Sequence, residues 1–259
     1  MFTSSLPDNQ DPKFYSLLVH NWNISKLWFT AALLARVVLF HQFLCRAILD
    51  GVVLGNDLRR RWLLAQIQPN TVFGSDVFSA LTQNIARSSN ATEIDVVLSR
   101  KWKEVTVLLH RLDPSLKSSD RKPNIFVVID EAQDGVTQLP GAFVSGTQGP
   151  VQLAIRRKRP VLRQLVFTLT SALEEASEYI DFTHIVTGTG ISKEMLEDAV
   201  SSTTFKEQAT GFVLGYNTGG FDYKHDQEKY ITHYLGEDFP NSKMGKALCS
   251  RMWHWLQGR

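Results

Sequence analysis

A short apolar segment that ends in two carboxylates most constrains what this chain can fold into. Residues 124–129 read Asn-Ile-Phe-Val-Val-Ile, and Asp130, Glu131, Ala132 and Gln133 follow directly. An apolar, β-branched run of this length is typical of a buried parallel strand. Its abrupt acidic end indicates that the C-terminal end of the strand opens onto a site. The sequence therefore predicts an α/β fold with Asp130 and Glu131 at the edge of its sheet.

The same layout forms the Walker B element of nucleoside triphosphatases, in which the first acid orients Mg²⁺ and its neighbour activates water. Adjacent residues at a strand end point to opposite sides, so one carboxylate can meet a metal while the other reaches a water or a loop. We therefore predict Asp130 as the metal ligand, Glu131 as the catalytic carboxylate and Gln133 as a residue that positions the loop. A strand that simply stops at an acidic turn is the alternative.

The phosphate-binding half of an ATPase signature is missing, because the 259 residues contain no Gly-x-x-x-x-Gly-Lys-Ser/Thr loop. The nearest candidate is residues 244–247, which have no glycine five residues before Gly245 and no hydroxyl after Lys246. Without backbone amides and a lysine on the β- and γ-phosphates, Mg²⁺ and a base have little to act upon. We therefore expect nucleotide turnover to be weak or absent.

A second candidate motif is Thr187-Gly188-Thr189-Gly190, which follows another apolar run. A strand that ends in hydroxyls and glycines before a helix can present backbone N–H groups to an anion. In many ATPases a polar residue at this strand end, called sensor 1, contacts the γ-phosphate. We predict that role for Thr187 or Thr189, with a plain strand-to-helix turn as the alternative. The third glycine and later acid of the dinucleotide fingerprint are missing, which excludes a Rossmann site.

A basic cluster at residues 156–159 precedes Pro160, which suits the first turn of a helix. The cluster could supply an arginine finger, a phosphate contact or a nuclear address, and a solvated basic turn explains it equally well. Arg163 lies one turn into the helix, where a finger could project toward a nucleotide. The patterns His-Glu-x-x-His, Cys-x-x-Cys and Gly-x-Ser-x-Gly are absent from the sequence.

Composition indicates an ordinary globular protein, with 43% apolar and 21% charged residues and a net charge of +2. The widely separated Cys45 and Cys249 give no disulfide framework and fit a reducing compartment, so we predict an intracellular protein of the cytoplasm or nucleus. The apolar run 27–49 contains Arg36 and Arg46 and carries a polar stripe. We therefore predict a buried helix there and no membrane partner.

Hydrophobic periodicity and turn residues place the remaining elements. Helices are predicted at 25–49, 76–86, 222–235 and 242–257. Three more are predicted, one from a cap at Thr92 to residue 112, one after Pro160 and one after a cap at Ser192. Strands are predicted at 182–187 and 211–216. Alternating strands and helices predict an incomplete three-layer parallel sheet. We divide the chain into a polar N-terminal segment at 1–26, a P-loop-like α/β core at 27–216 and a helical lid at 217–259.

Several of these motifs, taken in order, resemble the P-loop ATPase domain of fungal Crinkler-type (CRN-like) proteins. The matching segments are 128–133, 187–192, 220–222, 227–235 and 252–259. The resemblance implies an ATPase of the AAA/STAND type that uses ATP and Mg²⁺. In that family the phosphate loop lies upstream of the segment that matches 33–49, and a Gly-Arg-x-Arg segment begins where Arg259 stands. The resemblance thus implies a truncated domain, or a gene model cut at each end, that keeps Walker B and sensor 1.

Two other functions compete with this interpretation. The chain could be a pseudo-ATPase, a non-enzymatic module that binds a protein, another copy of itself or a nucleic acid through its basic cluster. It could also be a helicase, because Asp-Glu-Ala-Gln at 130–133 resembles helicase motif II. A helicase should show Ser-Ala-Thr about 30 residues later and a second core domain, and the sequence shows neither. The helicase interpretation is therefore the least favoured.

Overall fold

The structure is a computed structural model that describes residues 12–113, 115–118, 121–139, 142–144, 158–188, 223–236 and 238–256. The chain divides into two compact units, Met1–Lys206 and Glu207–Arg259, and each is described by itself. The first unit is mostly helical and contains a two-stranded parallel sheet. The described part of the second unit consists of two helices.

The first unit is organised around one long helix, α1, which spans Pro12–Leu49. It begins well before the predicted start at Ser25, because its buried face continues through Leu18 and Asn21. Asn21 and Ser25 are fully buried polar residues, which concealed the apolar stripe from sequence analysis. The Asn21 side-chain N–H donates a hydrogen bond of 3.2 Å to the carbonyl of Ala142, whereas the buried Oδ1 of Asn21 has no hydrogen-bond partner, so its burial is only partly compensated.

By length and composition alone, α1 is apolar enough over Leu17–Leu49 to cross a membrane. The core helix of a soluble protein passes the same test. In this structure Ala31, Leu34, Val37 and Leu44 are buried in the main hydrophobic cluster of the unit. One face of α1 therefore packs as part of the core, while 33% of its most apolar stretch is buried. The absence of a membrane partner stays a prediction.

Helix α5, Ala91–Leu112, packs along α1 and confirms the predicted apolar spacing. Its buried side chains include Leu98, Trp102, Val105, Leu109 and Leu112. The predicted cap at Thr92 is wrong, because Asn90 is the N-cap. The Asn90 side chain accepts a hydrogen bond from the Glu93 backbone N–H, and the Glu93 carboxylate accepts one from the Asn90 N–H, both at 3.0 Å. This reciprocal capping box satisfies two amides that a cap at Thr92 would leave open.

Shorter helices complete the first unit. They are α2 (Asn56–Ile67), α3 (Pro69–Phe73), α4 (Val77–Ser88), α6 (Ser115–Ser118), α7 (Ala132–Thr137) and α8 (Val161–Glu174), followed by a 3₁₀ turn at Glu175–Glu178. Pro69 follows the end of α2 and begins α3, where its missing N–H has no cost. Asp76 caps α4 by accepting a hydrogen bond of 3.0 Å from the Ser79 N–H.

The sheet of the first unit pairs β1, Asn124–Ile129, with β4, Asp181–Val186, in parallel register from Asn124↔Asp181 to Ile129↔Val186. Both predicted strands are confirmed. The inner face packs on the main core through Ile125, Val127 and Phe182. On the outer face Phe126 is 60% exposed and Val128 is 56% exposed, so β1 is buried on one face only. Continuous burial, which the apolar run predicted, is therefore wrong for β1.

A small antiparallel pair, β2 (Phe143–Val144) and β3 (Lys158–Arg159), lies against α1. The predicted strand at 211–216 and the helix capped by Ser192 lie outside the described residues. In the second unit the helices α9 (Lys224–Leu235) and α10 (Lys243–Leu256) confirm the two predicted terminal helices. A complete three-layer sheet and a lid function remain predictions.

Candidate functional site

The candidate site forms where β1 and β4 end side by side. Because the parallel register pairs Ile129 with Val186, the next residues of both strands, Asp130 and Thr187, reach the same edge. The Thr187 hydroxyl donates a hydrogen bond of 2.6 Å to Asp130 Oδ1. Two motifs that sequence analysis identified separately are therefore joined by a direct contact across 57 residues of chain.

Glu131 occupies the turn between β1 and α7 in a left-handed backbone conformation, with φ 52° and ψ 37°. Its backbone N–H donates a hydrogen bond of 3.0 Å to Asp130 Oδ1. Its carboxylate accepts a hydrogen bond from the Gln133 side-chain amide. Gln133 thus contacts the predicted catalytic carboxylate directly, which agrees with the predicted role in positioning this loop.

Backbone hydrogen bonds fix the two strand ends to each other. The Thr187 N–H donates to the Ile129 carbonyl at 2.8 Å, and the Ala132 N–H donates to the Thr187 carbonyl at 2.9 Å. The parallel ladder therefore continues beyond the last strand residues and into the first residue of α7. As a result, Asp130 and Glu131 project from a backbone that is held on both sides of the turn.

A small hydrophobic cluster supports the loop from below. Ala132 and Leu162 are buried in it, together with Val166. Gly135 of α7 approaches α8 closely, since a Cβ at this position would lie 3.1 Å from the Leu162 Cβ. Gly135 therefore permits this close contact between α7 and α8, which the sequence analysis did not predict.

The other predicted site residues are placed as follows. Arg163 lies in the first turn of α8, next to Leu162, and its side chain is half-buried. Its role as a finger remains a prediction. Thr189 and the first two residues of the basic cluster, Arg156 and Arg157, lie outside the described residues.

The electrostatics of the site are dominated by the two exposed carboxylates. The hydroxyl of Thr187 and the backbone N–H of Glu131 hold the pKa of Asp130 below its ordinary value. Hydrogen bonds to the charged form favour ionisation, so Asp130 carries a negative charge at neutral pH. An ionised, solvent-facing carboxylate is the ligand type that Mg²⁺ prefers.

A further titratable group, His184, lies on the inner face of the sheet. His184 of β4 pairs with Val127 in the sheet, and its buried Nε2 has no hydrogen-bond partner. Burial lowers the pKa of His184, so the ring is neutral at physiological pH. The alternation of side chains along β4 places His184 on the inner face of the sheet, a position that the sequence analysis did not predict.

The metal-ligating side chains near Asp130 determine how a metal ion could be bound there. Within the described residues, no group of three or more His, Cys, Asp or Glu side chains is placed to hold a metal ion. Magnesium in nucleotide sites is bound through one or two carboxylates, with phosphates and waters as the remaining ligands. Asp130 is a single carboxylate of that kind, and its role as a magnesium ligand stays a prediction.

Comparisons with protein-family models, with curated proteins and with solved structures give no match for this chain. The functional interpretation accordingly depends on the geometry at the ends of β1 and β4, and on the motifs that these strands carry.

Proposed function

We propose that this chain is a nucleotide-binding domain of the ATPase type that keeps Walker B and sensor 1 residues and hydrolyses ATP weakly or not at all. The observation that carries the proposal is the contact between Asp130 and Thr187 at the ends of neighbouring parallel strands. A chance acidic turn does not require a second, hydroxyl-bearing strand end in register beside it. The order of the motifs supports descent from a Crinkler-type AAA/STAND ATPase, and the two free cysteines, Cys45 and Cys249, support an intracellular location.

Each residue at the edge has a defined part in this proposal. Asp130 is the carboxylate that holds Mg²⁺, and Thr187 orients it through the 2.6 Å hydrogen bond. Glu131 is the carboxylate that orients water, and Gln133 fixes its position. When bound, Mg²⁺ neutralises phosphate charge, which is the largest electrostatic requirement of phosphoryl transfer.

The hydrogen bonding of the loop supports weak turnover. Efficient phosphoryl transfer needs preorganised donors that point at the phosphates. The N–H groups of Glu131, Ala132 and Thr187 already donate to acceptors of the two strand ends. The Thr187 hydroxyl is likewise engaged, with Asp130. Among the described residues, the site therefore offers a nucleotide carboxylates for its metal and few free donors for its phosphates.

A nucleotide titration of the full chain, with and without Mg²⁺, tests this proposal. By isothermal titration calorimetry we expect ATP to bind in the millimolar range only when Mg²⁺ is present. Asp130→Asn should weaken that binding about tenfold, equivalent to about 1.4 kcal/mol. Asp134→Asn is the matched control, because Asp134 is an exposed carboxylate of α7 next to the loop.

Two results would overturn the nucleotide site: no ATP binding at millimolar concentration, or the same loss of affinity in both variants. The first result, in a folded protein, would favour the pseudo-ATPase module instead. One observation already favours that second function, since the outer sheet face exposes Phe126, Val128 and Ile185. Parallel sheets are normally covered on both faces. Sedimentation velocity of the full chain would then test self-association, which a Phe126→Ser substitution should weaken.

A further inference from the structure

A cavity of about 350 Å³ lies between α1, α4 and the segment that joins α2 to α3. It is built from different elements than the Asp130 site. Trp28 and Arg36 line it from one face of α1, and Asp76 and Phe78 line it from the start of α4. Its volume lies at the lower end of the range that small-molecule sites occupy, roughly 300–1,000 Å³. A ligand with the bulk of a single amino acid would fit.

The cavity contains a cation that is not paired with a carboxylate. One Arg36 guanidinium nitrogen donates to the Ala32 carbonyl at 3.2 Å, and the group lies 5.6 Å from the centre of the Phe78 ring. Among the described residues, no carboxylate oxygen lies within 4.0 Å of its nitrogens. Although Arg36 is partly exposed, burial lowers its pKa, and Asp76 acts in the opposite direction. The guanidinium thus has further donors available in a partly dehydrated place.

The cavity also contains an anion at a fixed position. Asp76 accepts hydrogen bonds from the Ser79 backbone N–H at 3.0 Å and from the Ser79 hydroxyl at 2.5 Å. These bonds lower the pKa of Asp76, so it is ionised at neutral pH. Each carboxylate oxygen can still accept a second hydrogen bond, because it has two lone pairs. The positive charge of Arg36 and the negative charge of Asp76 therefore line the same cavity.

This pair of charges selects the kind of ligand. A simple anion would be attracted by Arg36 and repelled by Asp76, and a simple cation would meet the reverse. A molecule that carries both charges can pair with both groups at once. The exposed Trp28 ring adds a flat apolar wall against which a ligand body can pack, whereas the Phe78 ring is buried and has Arg36 over one face.

We propose that this cavity binds a small zwitterion with an apolar body, of the class of free amino acids. The ligand carboxylate pairs with Arg36, its ammonium group pairs with Asp76, and its side chain lies against Trp28. The site is independent of the nucleotide site, since the two share no residue.

The test uses L-phenylalanine as the probe and isothermal titration calorimetry on the full chain. Phenylalanine should bind saturably, while 3-phenylpropionate, which lacks the ammonium group, and phenethylamine, which lacks the carboxylate, should each bind at least about tenfold more weakly. Arg36→Gln should reduce phenylalanine binding to the level of phenethylamine. Asp76→Asn should reduce it to the level of 3-phenylpropionate, and it keeps the helix cap because asparagine caps as well as aspartate.

Arg87→Gln is the control, because Arg87 is an exposed arginine in the last turn of the same α4. It should leave phenylalanine binding unchanged. Equal affinities of the wild-type chain for the three probes would overturn the proposal without any variant. So would the absence of binding at millimolar phenylalanine, or an equal loss of affinity in Arg87→Gln.

Discussion

Replacing Glu131 with glycine tests whether the candidate site is held in a strained backbone conformation. Glu131 lies in the left-handed region at φ 52° and ψ 37°, just before α7. Its neighbours cannot relax easily, because Ala132 donates a hydrogen bond of 2.9 Å to the Thr187 carbonyl and Thr187 donates one of 2.8 Å to Ile129. Strain in such a place is typical of functional sites, where the surrounding structure imposes it.

The size of the effect follows from the conformation. A residue with a Cβ loses roughly 1–2 kcal/mol in the left-handed region, and glycine does not. Glycine also has more freedom in the unfolded chain, which removes about 0.4–1 kcal/mol of that gain. We therefore expect the free energy of unfolding of Glu131→Gly to exceed that of Glu131→Ala by about 1 kcal/mol. Both variants lack the carboxylate, so their difference isolates the backbone.

Urea unfolding followed by circular dichroism measures this difference. Asp134→Gly and Asp134→Ala form the control pair within α7, where glycine should be the less stable residue by about 1 kcal/mol. The reasoning would be refuted if Glu131→Gly were no more stable than Glu131→Ala. Under the proposed function the stabilised glycine variant should still bind Mg²⁺-ATP through Asp130, but lose any residual hydrolysis.

Three further predictions concern packing and pH. Leu162 is fully buried, and Leu162→Ala should lower the free energy of unfolding by about 2–3 kcal/mol in the same urea assay. Phe167→Ala, on the exposed side of α8, should lower it far less. Gly245→Ala should lower the melting temperature although alanine favours helices by about 1 kcal/mol, because its Cβ would lie 1.7 Å from the Phe239 carbonyl oxygen; a higher melting temperature would contradict that close approach. Burial lowers the pKa of His184 below 6.5, so the free energy of unfolding should fall as the pH drops below that value. His184→Phe should make this fall in the urea midpoint smaller. His20→Gln, at an exposed position, should leave the fall unchanged. Part of the fall should remain, since burial also lowers the pKa of His41.

The elements with strong periodicity were predictable from the sequence. Helix α5 repeats buried apolar residues from Leu98 to Leu112, and β1 and β4 are bounded by residues that end strands. The sequence analysis placed Asp130 and Thr187 in one nucleotide site, and this holds if β1 and β4 are neighbouring parallel strands. The pairing of Ile129 with Val186 confirms that neighbourhood. Here local pattern and tertiary arrangement agree, so the sequence was sufficient.

Features that depend on tertiary contacts were not predictable. The start of α1 was concealed because Asn21 is buried against a carbonyl 121 residues away, which a local pattern cannot show. Thr92 was predicted as the cap of α5, whereas Asn90 is the cap, and its signal is Glu93, three residues later, which completes the capping box. The left-handed Glu131 gives no signal at all, since glutamate is not a residue that prefers this region.

The charge of the strand-end site determines what can approach it. Asp130 and Glu131 present negative charge, while the donors of the turn are engaged with the strand ends or with each other. Free ATP is an anion and would be repelled, whereas the magnesium complex brings the cation that the carboxylates need. Mg²⁺ dependence therefore discriminates more sharply than affinity does. ATP that bound equally well without Mg²⁺ would have to occupy a basic surface elsewhere on the chain, and the Walker B interpretation of Asp130 would then be wrong.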